Sequence, residues 1–204
     1  MLPVPLPSIE IAAASQGMSK GLRQTDGVQI FVRPEVSVGP LFVGAYYKNV
    51  TSPTTDGEAA FLVGLRHRWA GFDLTASAEY KWNPGTPAGV DRDAFEFTAA
   101  ASRHFGPITP RISLTYSPDD LGATRRSLFV EAGATVNLIA GISVSAAAGH
   151  RARDGAADYS AFNAGASYAF APFLSLDVRY YSTDQGSLGA IYRGRVVGSV
   201  RAHF

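Results

Sequence analysis

The chain of 204 residues contains no cysteine. That excludes disulfides and thiolate metal sites, and it suits a protein that crosses an oxidising compartment such as the periplasm. No run of 18 apolar residues occurs, which excludes a transmembrane helix. No charge of one sign dominates: Lys+Arg number 18 and Asp+Glu 17, so bulk charge does not point to nucleic acid. The opening MLPVPLPS has no basic segment followed by an apolar stretch. It is read as a mature chain whose secretion signal is already gone, or as one carrying an added Met, with residues 1–8 a Pro-rich extended tail and 9–204 the folded domain. Helical spacing does not persist either. SVSAAAG and TAAASRHF are short, and their flanks alternate, too little for a stable helix.

What remains is alternation. In the closing RVVGSVRAHF, Val196, Gly198, Val200, Ala202 and Phe204 fall on one face and Arg195, Val197, Ser199, Arg201 and His203 on the other. Side chains alternate across a strand, so this is a strand with one apolar and one polar side. Twelve such segments are predicted, at about 9–22, 28–38, 41–50, 59–69, 72–82, 94–105, 108–117, 126–138, 142–151, 159–170, 173–182 and 193–204. Pro34 falls within the second and predicts a local irregularity there. The connections alternate in length. VGP, AG, GP, AG and AP form short corners, whereas TSPTTDGE, NPGTPAGVDRD, PDDLGATR, ARDGAAD and TDQGSLGA form longer polar loops. The first connection on the long side, QTDG, is compact.

Segments of this length match the roughly 9–11 residues of a tilted transmembrane strand better than the ~5–6 of a soluble one. The expected fold is all-β: a single-chain antiparallel transmembrane β-barrel of twelve strands, ten or fourteen being the neighbouring even counts. It has short periplasmic turns and longer extracellular loops. Ala99, Ala101, Ala146, Ala164 and Ala166 on the apolar faces would fill a soluble core poorly and suit lipid. Aromatics end these faces. Trp69, Phe72, Phe105, Phe170, Phe173 and Phe204 fall near the short turns, and Tyr47, Tyr80, Trp82, Tyr116 and Tyr180 near the long loops, as membrane-interface girdles do. Phe dominates one rim and Tyr the other on this reading. The terminal Phe204 resembles the signal by which the barrel-assembly machinery recognises its clients. Outer-membrane lipid and lipopolysaccharide are the expected surroundings.

The stretch Ser19-Lys20-Gly21-Leu22-Arg23-Gln24-Thr25-Asp26-Gly27 resembles the opening motif of the TorF-type porin family: a Gly, a variable residue, Ser or Arg, Gln, Ser or Thr, then Asp. LFVGAYYKNV, YYSTD and RVVGSVRAHF resemble its later blocks, so the likeness runs over nearly the whole chain. Gly17-Met18 stands where relatives carry an aromatic. The resemblance implies a single-chain outer-membrane porin and brings no binding residues with it.

Facing assignments put twelve cations in the lumen: Lys20, Arg33, Lys48, Arg66, Arg68, Lys81, Arg111, Arg151, Arg179, Arg193, Arg195 and Arg201. Seven carboxylates join them: Glu10, Glu35, Asp73, Glu79, Glu96, Glu131 and Asp177. The other acids, Glu58 and Asp120 among them, are assigned to an acidic outer rim. A pore lined by Arg and Lys favours anions, so the expected function is passive diffusion of small anionic solutes through a positive lumen. Gly44, Gly64, Gly133, Gly149 and Gly165 are expected to leave room in it. The alternative is a plugged structural or surface-recognition barrel, since twelve strands lie between filled and open barrels. Catalysis is not expected. Ser102 and His104 are the best-placed nucleophile and base, but they have no evident third group. His67, His150 and His203 have no metal-ligand spacing, and no cofactor is implied.

Overall fold

The computed structural model describes residues 4–122, 124–139 and 141–204. Twelve strands close into one antiparallel barrel: β1 (Leu6–Ala14), β4 (Gln29–Val38), β5 (Leu41–Asn49), β6 (Gly57–Trp69), β7 (Phe72–Trp82), β8 (Asp93–Arg103), β9 (Ile108–Ser117), β10 (Ser127–Asn137), β11 (Ile142–Arg153), β12 (Tyr159–Ala171), β13 (Leu174–Thr183) and β14 (Arg195–His203). β1 and β14 seal the wall, with Glu10 opposite His203 and Ala14 opposite Ser199. Two further strands, β2 (Met18–Ser19) and β3 (Leu22–Arg23), pair only with each other. Closure leaves no free edge, so every strand finds two neighbours.

The wall follows from period-two patterning. Leu128, Val130, Ile112, Leu114, Leu176 and Val178 are among the many large apolar residues exposed on the outside. Such a continuous apolar exterior is far larger than a soluble monomer shows and fits a hydrocarbon surround. Ser, Thr and charged residues alternate with them on the inside. Pro34 leaves the ladder between β4 and β5 unpaired over Arg33 and Pro34, while Val32↔Tyr47 and Glu35↔Gly44 keep one register on either side. The missing proline N–H thus costs pairs and leaves the register intact. A register shift between Ala169 and Ala171 marks a bulge beside the short corner to β13.

The first strand departs from expectation at both ends. β1 starts at Leu6, inside the stretch read as a tail, and stops at Ala14 rather than near residue 22. Ser15, Gln16 and Gly17 have no apolar side to present to lipid, so the chain leaves the wall there. Residues 15–28, rather than QTDG alone, connect β1 to β4.

The lumenal hairpin and its charged anchors

Residues 15–28 fold inward, and β2 and β3 form a small hairpin inside the barrel. Its two turn residues both have positive φ, Lys20 at 49° and Gly21 at 82°. That is the pattern of a type I′ turn, whose twist suits a two-residue hairpin. Lysine in this conformation is strained, and the surroundings hold it. The Tyr159 hydroxyl donates to the Lys20 carbonyl at 2.7 Å, and the Lys20 ammonium pairs with Glu96. Gly21 lies so close to β12 that a Cβ there would sit 2.4 Å from the Ala161 methyl. Leu22 packs against Phe129, Tyr159 and Ala161, together with Tyr192 from the β13–β14 loop. The base of the hairpin is tied by Thr25, 2% exposed, whose hydroxyl accepts from the Gly17 N–H at 2.7 Å and donates to the Gly27 carbonyl at 2.6 Å.

The charged residues are arranged around this element. Lys81 donates to Glu96 at 2.7 Å and lies 4.0 Å from Asp120. Asp120 pairs with Arg151 and accepts from the Ser127 hydroxyl at 2.8 Å. Lys48 reaches Gln24 of the hairpin at 2.7 Å and Glu58 at 3.0 Å, and Tyr46 donates to Glu58 at 2.7 Å. Glu58 and Asp120 therefore belong to the lumen, correcting their assignment to an acidic rim. Their side chains are 9% and 6% exposed, because lysine and arginine on the wall draw them in. Burial would raise the Asp120 pKa from its ordinary 3.8. The charges of Lys20, Lys81 and Arg151 and the Ser127 hydroxyl outweigh burial and hold it at about 2.

Below the hairpin most of the remaining lumenal charges pair with one another. Arg33 and Arg66 share Glu35, each at 2.9 Å. Arg111 meets Glu131 at 2.7 Å. Arg179 meets Asp177 at 3.0 Å and donates to Asn163 and Ser145. Arg68 lies 3.5 Å from Asp73, and Arg201 3.0 Å from Glu10, near the short turns. Arg195, at the loop end, donates to neutral oxygens of Gln16, Arg193 and Ala190, and Arg153 to those of Ala157 and Tyr192. Arg193 itself lies in the loop just before β14.

The glycines do not leave room. Gly64 lies under the Phe42 ring and Gly149 under the Phe129 ring, where a Cβ would approach within 2.3 and 2.6 Å. A glycine lets a neighbouring ring lie flat on the wall and pins the register of the strands that meet there. Arg66 stacks 3.9 Å from the centre of the same Phe42 ring.

Three spaces remain around the hairpin. An outer vestibule of about 410 Å³ lies on the loop side. An inner chamber of about 510 Å³ is lined by Arg111, Glu131, Arg179 and several hydroxyls. A side space of about 270 Å³ is lined by Ala12, Ala14, Val197 and Ser199. The side space shares Ser19 and Lys48 with the vestibule, and Met18 and Tyr181 with the inner chamber. It exists because the hairpin leans on β12, leaving the small residues of β1 and β14 uncovered opposite.

At the rims, Trp69, Phe105, Phe170, Phe173 and Phe204 are exposed near the short turns, as are Tyr47, Tyr80 and Tyr180 near the loops. Phe72, Tyr116 and Trp82 are half-buried on the same face. Phe173 stacks on Phe204 at 5.7 Å. The division of Phe from Tyr does not hold. Phe61 and Phe95 flank Tyr80 at the loop end, and Tyr168 lies toward the short turns. His104 meets Thr109 at 2.9 Å and Asp73 at 3.6 Å, a third group that spacing alone did not show. The Ser102 hydroxyl forms no hydrogen bond among the described residues, and the histidine lies exposed on the rim rather than in a cavity. No group of three metal-ligating side chains occurs among the described residues.

A closed twelve-stranded antiparallel barrel with an apolar exterior and a charged lumen has the fold of outer-membrane porins. The KdgM porin superimposes with a TM-score of 0.67 at 7% identity, covering 97% of this chain and 99% of that one. The NanC porin gives 0.58 at 10% identity over 96% and 97% of the two chains. The COG4313 outer membrane channel from Pseudomonas putida F1 gives 0.55 at 12% identity over 100% and 95%. No family model matches the chain, and no curated relative does.

Proposed function

We propose that the chain is an integral outer-membrane channel for passive diffusion of small solutes, with a modest preference for anions, and a member of the TorF-type porin group its hairpin motif resembles. The observation that carries this reading is the set of spaces passing the hairpin on one side, from the vestibule by Lys48 and Ser19 to the inner chamber. The hairpin is the constriction. Among lumenal side chains, cations outnumber carboxylates even with Glu58 and Asp120 inside. Among the described residues the Arg153 and Arg195 side chains at the mouth lack a carboxylate partner, whereas Glu79 is a carboxylate without a cation partner. Unneutralised guanidinium groups at an entrance draw anions and repel cations. A KdgM porin has been observed in complex with disordered oligogalacturonate, a polyanion, which is consistent with anion passage through this architecture. The barrel would face lipopolysaccharide with its loops, and Phe204 would serve its assembly.

The test is crowding of the side route. Ala14→Phe should cut single-channel conductance in planar bilayers several-fold while the barrel stays folded and heat-modifiable. Unchanged conductance would place the solute path elsewhere. A second reading, a plugged barrel, draws on the ion pairs that tie the hairpin across the lumen. A refolded protein with no current would favour it.

A further inference from the structure

We propose that Arg103 binds the phosphate of an anionic glycerophospholipid in the leaflet around the short-turn end. The inference rests on the barrel spanning a membrane. Of the lysines and arginines in the twelve barrel strands, Arg103 is the one on the outward face; in β8 it follows Phe95, Phe97, Ala99 and Ala101 in alternation. It stands in one row with Phe72 and Trp69 across three neighbouring strands.

Two rings on the outer face, Phe105 exposed and Phe72 half-buried, hold the group. The guanidinium carbon lies 5.0 Å from the centre of the Phe72 ring and 4.9 Å from that of Phe105. Contact with ring faces stabilises the cation without using its N–H donors, so the planar fork stays available for two oxygens of one phosphate. Among the described residues no carboxylate competes for it. Asp73, adjacent to Phe72, turns inward to Arg68 and His104. The five short turns contain neither Asp nor Glu.

A cation fixed between interfacial rings, with no carboxylate partner among the described residues, needs a counter-ion at headgroup depth. In a bilayer the phosphate is that group. A zwitterionic headgroup also brings an ammonium, for which the outward face of this rim offers no carboxylate among the described residues. An anionic headgroup such as phosphatidylglycerol satisfies the site without that burden.

The chain has two tryptophans, and Trp82→Phe leaves Trp69 as the sole reporter, two strands from Arg103, or roughly 10 Å. The refolded full-length variant would be placed in bilayers mixing unbrominated lipid with brominated phosphatidylglycerol or brominated phosphatidylcholine. The expected result is a preference of about five-fold for phosphatidylglycerol in quenching of Trp69. Arg103→Gln should bring the ratio close to one, and Arg103→Lys should keep most of it. A ratio near one in the parent, or a ratio unmoved by Arg103→Gln, would overturn the lipid site while leaving the membrane reading intact. Absence of quenching by either lipid would overturn the membrane reading itself, and the site with it.

Discussion

Single residues decide how much of the lumen is open. Gly64 is a position where even one carbon does not fit, because its Cβ would meet the Phe42 ring at 2.3 Å and the Ala76 carbonyl oxygen at 2.5 Å. Gly64→Val should therefore destabilise the barrel by about 1–3 kcal/mol, the usual cost of overpacking, seen as a lower urea midpoint in detergent. A midpoint equal to the parent's would mean that Phe42 moves away freely. Asp120 acts through charge. Its pKa of about 2 lies below the ordinary 3.8, so its stabilisation of the outer network is complete above about pH 4 and is lost as pH falls toward 2. Channel current should become noisier or change level across that window, and Asp120→Asn should show the altered behaviour already at neutral pH. A flat profile from pH 5 to 2 would contradict this role. These roles were hidden in the sequence. Glycine on an inward position reads equally as open space or as a seat for a ring. An acid beside a loop looks solvated until the lysines that reach it are known.

Elements were more legible where one face meets lipid. β7, β10 and β13 alternate cleanly because every second residue must be apolar on the exterior, and the short corners and long loops mark the two ends. The hairpin was not legible in that way. Ser19–Arg23 has no apolar period, and the partners that hold it, Glu96, Tyr159 and Ala161, lie far along the chain. The stretch stands out in the sequence through its resemblance to a family motif, which does not say that these residues enter the lumen. Because the Tyr159 hydroxyl and the Lys20–Glu96 pair anchor the turn, the double variant Tyr159→Phe, Lys20→Ala should loosen it. Single-channel traces should then show larger or more variable openings than the parent. Traces indistinguishable from the parent would mean that Leu22 packing alone seats the hairpin.

At the scale of the whole molecule, the barrel is an apolar exterior wrapped around a lumen whose charges are mostly paired. Twelve strands are enough for space beside the hairpin and too few for a wide channel. On the proposed function, selectivity depends on the small surplus of cations and on the mouth, where the Arg153 and Arg195 side chains bond only neutral oxygens among the described residues. Exposed charges are screened by salt within about 10 Å at 0.1 M, so the preference should weaken as ionic strength rises. The measurement that tests the central claim most directly is the zero-current potential of the refolded protein in a planar bilayer under a potassium chloride gradient. The account predicts steady conductance with a reversal potential on the anion side, shifting toward zero in Arg153→Gln, Arg195→Gln. A reversal potential on the cation side would contradict the positive lumen, and the absence of any current would contradict the channel.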